Sequence, residues 1–450
     1  GKRASPRTPC GQRVGYGSLS SSFRMTSDTT TQPSLSVHCR RIAERARAAA
    51  IDLAGIPGRQ RSAGLRAAAA RIRTDAAAIL EANRADVAAA PDFGLTAAAI
   101  DRLTLDPTRL EAIAAGVDAV AALPDPVGEV LEETTRPSGL VVRKVRVPLG
   151  VVFFIYESRP NVTADAAAVA IASGNAIILR GGKEAAGSSR QIVASVRAGL
   201  AEAGLPADAV QLVDQADRAA VGEFLALDDL IDIAIPRGGE GLIRRVCAEA
   251  RMPVLKHFSG NCHVYVDRAA DLAMAEAITV NAKCQRMGVC NAAESLLVHG
   301  EVAERFLPAV ALMLSAQGVE IAGDEATCRL VPAAVPATAA DWNTEFLGPK
   351  ISVAIVDSLD AAIDHINRHG SRHTDAIVTA DAAAAERFTA RVDTAVAIVN
   401  ASTRFNDGGE LGMGAEIGIS TDKLHARGPC GPRELTTYKY IVTGTGQVRS

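Results

Sequence analysis

From Gly150 onward the sequence alternates short apolar runs with helical stretches, and this alternation limits the possible folds more than any other feature. It predicts a strand at 151–156, a helix at 163–173, a strand at 176–180, a helix at 185–203, and strands near 210–213 and 230–235. Strands that alternate with helices imply a parallel sheet covered on both faces. After His257 the alternation restarts, with a strand at His263–Val266, a helix over 271–283, a strand at Ser295–Val298 and a helix over 301–317. Residues 351–356, 376–379 and 395–399 would continue that second sheet. The expected fold class is α/β, with two doubly wound domains. Ligands of such sheets bind at the carboxyl ends of the strands.

Residues 35–123 read as alanine-rich helices punctuated by Pro57, Gly58, Pro91, Gly94 and Pro107. Leu103, Leu110, Ile113, Val117 and Val120 have the spacing of a buried helix face. Residues 129–147 alternate apolar and basic side chains as an extended arm suited to packing on another subunit, and the tail 435–448 would pair with it. The expected boundaries are a disordered extension at 1–34, a cofactor-binding domain at 35–130 and 149–255, a catalytic domain at 256–425, and a small β oligomerisation arm at 131–148 and 426–450. Ser, Thr, Arg and Gly dominate the extension, with no acid before Asp28. Met25 reads as a start behind extra residues in preference to a transit peptide, because residues 1–24 lack an amphipathic apolar face.

A chain of 450 residues with 48% hydrophobic content can fill two or three cores. Its 48 basic and 51 acidic residues are spread along the chain, a net charge of −3, so no electrostatic footprint for nucleic acid exists. No uncharged apolar run reaches the ~18 residues that a membrane span needs. The eight cysteines show no CxxC pairing and read as reduced thiols of a cytoplasmic protein, with no metal site expected.

Cys290 lies in a Gly-containing loop, Asn281-Ala-Lys-Cys-Gln-Arg-Met-Gly-Val-Cys-Asn291, between a helix and a strand. Lys283 and Arg286 would favour its thiolate, the nucleophilic form. Taken alone, a cysteine is as well explained as a small buried hydrophobe. Its context decides: Arg146-Val-Pro-Leu-Gly150, Ile155-Tyr-Glu-Ser-Arg-Pro-Asn-Val-Thr163, Ser173-Gly-Asn-Ala176, Leu179-Arg-Gly-Gly182, Lys256-His257 with Gly260-Asn-Cys-His263, Asn400-Ala-Ser-Thr-Arg-Phe405 and Lys423-Leu-His-Ala-Arg-Gly428 occur in order. These blocks resemble those of the gamma-glutamyl phosphate reductases, a branch of the aldehyde dehydrogenase superfamily, from about residue 40 to about residue 440. Cys284, Met287 and Ser259 depart from the usual residues, and Cys284 is a candidate for oxidative pairing with Cys290.

The resemblance implies an aldehyde-dehydrogenase-like fold and NADPH-dependent reduction of L-glutamyl 5-phosphate to L-glutamate 5-semialdehyde in proline biosynthesis. Cys290 would form a thioester that accepts hydride. Hydrolytic relatives carry a glutamate base where this chain has His257, so the thioester would be shielded from water; a purely structural His257 is the alternative. The backbone N–H of Cys290 is a candidate oxyanion donor, while Asn161 is read either as the side-chain donor or, in preference, as a helix cap. Gly238, Gly239 and Gly241 match the loop that presents a helix N-terminus to the cofactor pyrophosphate. Arg180 and Lys183 match the adenosine ribose site and would meet a 2′-phosphate, and Glu345 matches a residue on the nicotinamide ribose. Arg159, Arg286, Arg404 and Arg427 are candidates for the substrate anions, and Glu157, Asp407 and Glu410 for its ammonium.

Expected partners are the small-molecule substrate, further copies of this chain as a dimer or tetramer, and transiently a glutamate 5-kinase that makes the unstable acyl phosphate. Two alternatives stay open: an aldehyde dehydrogenase of other specificity, and a non-catalytic superfamily member acting as a scaffold.

Overall fold

The computed structural model describes residues 34–449 apart from 158, 215 and 216, and apart from the side chain of 98. The expectations for the extension and Met25 fall outside these residues.

Two separate parallel sheets form, as the alternation predicts. The first has four strands in the order Val210–Leu212, Ala176–Arg180, Val151–Tyr156, Ile233–Arg237. Every residue of Val151–Tyr156 is buried, which is why that run reads as uniformly apolar. Helices Leu35–Ala54, Gly58–Thr74, Pro107–Ala121, Pro160–Ala172 and Ala186–Glu202 supply most of the rest of one continuous apolar core, much of it alanine. Gly199 is required there: a Cβ would lie 2.3 Å from the backbone nitrogen of Ala68, so the two helices cross at backbone contact.

The second sheet has seven strands in the order Val335–Pro336, Glu320–Gly323, Lys350–Val356, Ala293–His299, Cys262–Val266, Thr374–Val378, Val396–Val399, all parallel. Its period-2 alternation divides two cores. Val264, Val266, Leu296, Val298, Val353 and Val378 face one, while Tyr265, Leu297, Ala354, Val356 and Ile377 face the other. Helices Leu359–His369 and Ala382–Arg391, which the sequence reading did not mark, cover the second face. They begin at Ser358 and Asp381, whose side chains accept N–H groups of the first turn.

The arm is a three-stranded antiparallel sheet. Val130–Thr135 pairs with Val141–Pro148, which pairs with Thr436–Thr443 from Thr436↔Pro148 to Thr443↔Val141. The tail therefore pairs with the arm of its own chain, and only from Thr436, because Ala426, Cys430 and Leu435 are buried in the first core. No helix among the described residues is long and apolar enough to cross a membrane.

Candidate active site

Cys290 sits between the helix Leu272–Cys284 and the strand Ala293–His299, in a loop held from three sides. Gly260 packs directly on it: a Cβ at Gly260 would fall 1.8 Å from the Cys290 carbonyl oxygen and 2.7 Å from its Cα. Cys262 Sγ donates to that carbonyl at 3.2 Å. Asn291 Nδ2 donates to the carbonyl oxygen of Asn406 at 2.9 Å, and Thr403 Oγ1 donates to the Asn291 carbonyl at 2.8 Å. The Ser402–Asn406 segment thereby clamps the cysteine loop. Preorganisation of this kind places a nucleophile without an entropic cost at the moment of reaction.

Burial pushes the Cys290 thiol up to about 11, with Glu345 and Glu416 adding to the rise and Arg237 opposing it. Arg237 closes a strand of the first sheet, so the cation that acts on the Cys290 thiol comes from the other half of the protein. Lys283, expected to do this, is fully buried and ion-paired with Glu294. A lysine in a helix's last turn cannot be distinguished by sequence from one that faces the next loop. Arg286 acts on Arg159 and Arg404 rather than directly on the thiol.

His257 and His373 face Cys290, with one ligand atom from each of the three lying within 4.8 Å of the others. Burial first, then the Arg237 charge, holds His257 down to about 4, and its Nδ1 lies 3.1 Å from the Ile419 carbonyl. With Nδ1 donating to that carbonyl, the ring is a neutral and weakly basic imidazole. Such a group is a poor activator of water.

Asn161 is not the helix cap. The helix starts at Pro160 with Arg159 in the cap position, and Asn161 Nδ2 donates to Asp165 at 3.1 Å. The Arg-Pro step, with proline preset for the first helical position, moves the start two or three residues earlier than an asparagine cap would.

On the cofactor side, Gly239 caps the helix Glu240–Glu249 at the carboxyl end of Ile233–Arg237. Its N–H donates to Glu157 Oε1 at 2.9 Å. Glu157, expected at the substrate ammonium, thus lies at the helix N-terminus, where a carboxylate shows that the loop accepts an anion. Gly241 has open space around it. Arg180 and Lys183 border a cleft with Gly181, Gly182, Arg190 and Leu212 at the ends of two neighbouring strands. Lys183 Nζ lies 4.7 Å over the Phe93 ring. Glu345 accepts a backbone hydrogen bond from Gly260, which ties it to the cysteine loop.

Arg159 and Arg404 are each partly desolvated and repelled by neighbouring guanidiniums: Arg102, Arg237 and Arg286 for the first, Arg286 for the second. Arg404 also feels Asp407 and Cys290, and its Nε donates to Gln285 at 2.8 Å. Asp407 accepts the Gly409 N–H at 2.9 Å. Arg427 donates to Asp393 at 2.8 Å, in a cluster with Lys423 and Arg372. Glu410 is exposed. Arg237, Glu416, His373 and Gly260 escaped the sequence reading. Gly260 lies in the Gly260-Asn-Cys-His263 run and Arg237 directly precedes the Gly238–Gly239 turn, whereas no local pattern marks Glu416 or His373.

The chain matches the profile of the aldehyde dehydrogenase family over residues 29–329 and 329–415, and it belongs to that family. Within it, the relatives are gamma-glutamyl phosphate reductases. The protein of that name from Rhodopirellula baltica is 58% identical over 432 residues, 96% of this chain and 100% of the relative. That from Rhizorhabdus wittichii is 56% identical over 405 residues, 90% of this chain and 94% of the relative. The crystal structure of gamma-glutamyl phosphate reductase from Thermotoga maritima is 43% identical and superposes with a TM-score of 0.90, covering 92% of this chain and all of the other. The resemblance and the fold class drawn from the sequence blocks are borne out.

Proposed function

We propose that this chain reduces L-glutamyl 5-phosphate to L-glutamate 5-semialdehyde and phosphate with NADPH, the reductive step of proline biosynthesis, with Cys290 as the covalent nucleophile. The observation that carries this reading is a chain of coupled guanidiniums that reaches the thiol: Arg237 and Arg404 act on Cys290, Arg159 and Arg286 are coupled to them, and these side chains repel one another until an anion arrives. A substrate bearing a phosphate and a carboxylate relieves that repulsion, whereas a simple aldehyde does not.

Cys290 loses its proton and its sulfur bonds to the acyl carbon; the carbon–oxygen bond to phosphate breaks, and phosphate leaves with the electron pair. The backbone N–H of Cys290 is the donor assigned to the oxyanion. The dinucleotide, when bound, supplies hydride; its pyrophosphate fits the Gly238–Gly239–Gly241 helix start, and its 2′-phosphate fits Arg180 and Lys183. Collapse of the thiohemiacetal frees the aldehyde and returns a proton to the thiol. His257, neutral and weakly basic, leaves the thioester unhydrolysed meanwhile.

In this assignment residues 35–130 and 149–255 hold the cofactor, 256–425 the substrate, and the arm joins copies of the chain. Val130, Leu131, Tyr440 and Val442 expose apolar surface on that arm, which fits a homo-oligomeric contact, and light scattering would give the number of copies. A cytoplasmic site of action fits the free thiols of the described residues. The acyl phosphate would be received from a glutamate 5-kinase.

Run in reverse with glutamate 5-semialdehyde and NADP, the enzyme is expected to require inorganic phosphate and to lose turnover in Cys290→Ala. Equal turnover in phosphate-free buffer would replace this reading with a hydrolytic aldehyde dehydrogenase.

A further inference from the structure

Cys290, His257 and His373 are far apart in the sequence and form no metal-ligand motif. The second sheet brings them together. Each lies just before one of three neighbouring parallel strands, Ala293–His299, Cys262–Val266 and Thr374–Val378, so all three project at the same amino edge. We propose that these three side chains form a binding site for a divalent transition metal ion, zinc foremost, and that the ion reversibly blocks the thiol.

Two observations support the site independently. The first is geometric: one ligand atom from each residue lies within 4.8 Å of the other two. Ligands of a tetrahedral zinc ion stand about 3.5 Å apart, so a modest contraction of the three side chains closes the set. The second is an orphaned nitrogen. His373 is fully buried, its Nδ1 lies 2.8 Å from Thr374 Oγ1, and its Nε2 has no hydrogen-bond partner. A buried ring nitrogen without a partner is costly unless something else is meant to meet it. The His257 and His373 rings stand edge to face with their centroids 5.3 Å apart, His257 having Nδ1 engaged by Ile419 and Nε2 carrying the lone pair.

Two imidazoles and one thiolate are a zinc-type donor set with the fourth position open to water. Binding exchanges the thiol proton for the metal: a sulfur–metal bond forms, the proton passes to solvent, and no electron is transferred. Coordination draws charge from the sulfur and sets the ion in the path of an incoming acyl phosphate, so the bound thiolate is a much poorer nucleophile. The inhibitory consequence rests on Cys290 being the nucleophile, whereas the metal site does not.

The test is therefore spectroscopic first. Chelator-treated full-length enzyme is titrated with Co²⁺, and one ion per chain with a thiolate-to-cobalt charge-transfer band is expected. The band should vanish in Cys290→Ser, and affinity should fall at least tenfold in His257→Asn and in His373→Asn. His257→Asn keeps the test available if the buried position does not tolerate change. Zn²⁺ should displace the cobalt and abolish turnover, and EDTA should restore it. Cobalt binding without the charge-transfer band, or binding of equal strength to Cys290→Ser, overturns the site. Zinc-loaded enzyme that shows displacement yet keeps full turnover overturns the inhibition and, separately, the role of Cys290 as nucleophile.

Discussion

The two sheets offer their chemistry from opposite edges. In the four-stranded sheet the functional loops follow the strands: Arg180–Lys183 after Ala176–Arg180, and Gly238–Gly239 after Ile233–Arg237. In the seven-stranded sheet the key groups precede them, with His257, Cys290 and His373 all at the amino edge. Both halves bury polar groups, but of different kinds. The first sets Arg61, ion-paired with Asp125, and the amides of Asn83, Asn175 and Gln211 into an alanine-rich apolar core. The second buries His263 with Asp375, Lys283 with Glu294, and His373 beside Cys262. A loop after a strand faces helix N-termini and so suits phosphates. A thiol instead needs a dry, hydrogen-bonded floor, and the polar second half supplies it.

Two glycines separate these roles. At Gly260 a Cβ would overlap the backbone of Cys290, which cannot give way without moving the thiol proposed as nucleophile. Gly260→Ala is expected to lower kcat by on the order of 10²-fold or more, the cost of misplacing a reacting group by about 1 Å. At Gly238 the nearest atom to a Cβ is the far end of the Glu157 side chain, at 2.8 Å, which can swing away. Gly238→Ala should therefore raise KM for NADPH by roughly threefold to tenfold and leave kcat near its original value. Steady-state kinetics on both variants checks the contrast, and equal effects on kcat would erase it.

Arg237 is the residue that crosses the divide, because it ends a strand of the first sheet and yet opposes the rise of the Cys290 thiol. Removing its charge in Arg237→Gln should raise that thiol further. Alkylation by iodoacetamide at pH 8 is expected to slow by about tenfold for each unit of added pKa. In the unmodified enzyme the same rate should climb steadily through pH 9 and level only near 11, the direction that burial dictates. A plateau below pH 8 would show that the pocket stabilises the thiolate more than these charges do.

How much of this was legible in the sequence follows the same divide. The strands at 151–156 and 176–180 were read at their true bounds, because a strand buried on both faces is a plain apolar run. Helices 359–369 and 382–391 were missed although both are amphipathic and open at capping residues, Ser358 and Asp381, that the sequence displays. Cys290 and the glycines of the cofactor loop are local signals in quoted blocks. Arg237, Glu416 and His373 reach the thiol only through tertiary folding, and no spacing encodes that. Lys283 shows the reverse: a residue beside the nucleophile in sequence whose charge is consumed by Glu294 in the core.

The smallest expected effect tests whether acid sensitivity also divides between the halves. In the second half, burial holds His365 down to about 3, so it remains neutral in the folded chain while its unfolded counterpart takes a proton near 6.5. That favours the unfolded state progressively as pH falls below 6.5. In the first half, burial raises Asp165 to about 6, above its unfolded value of 3.8. Its neutral form is the folded one, so its contribution is full below 3.8 and is lost as pH rises from there to about 6. Asp165→Asn keeps the neutral shape at every pH. The variant should gain stability over the parent across pH 4 to 6 and hold that gain at pH 7, by about 1 kcal/mol for a group still partly reached by water. His365→Asn should gain in the opposite direction, as pH falls from 6.5. Urea unfolding of both variants at pH 5 and pH 7 measures the two slopes. Slopes of the same sign would mean that burial does not set these two groups oppositely and that the contrast between the halves ends at their geometry.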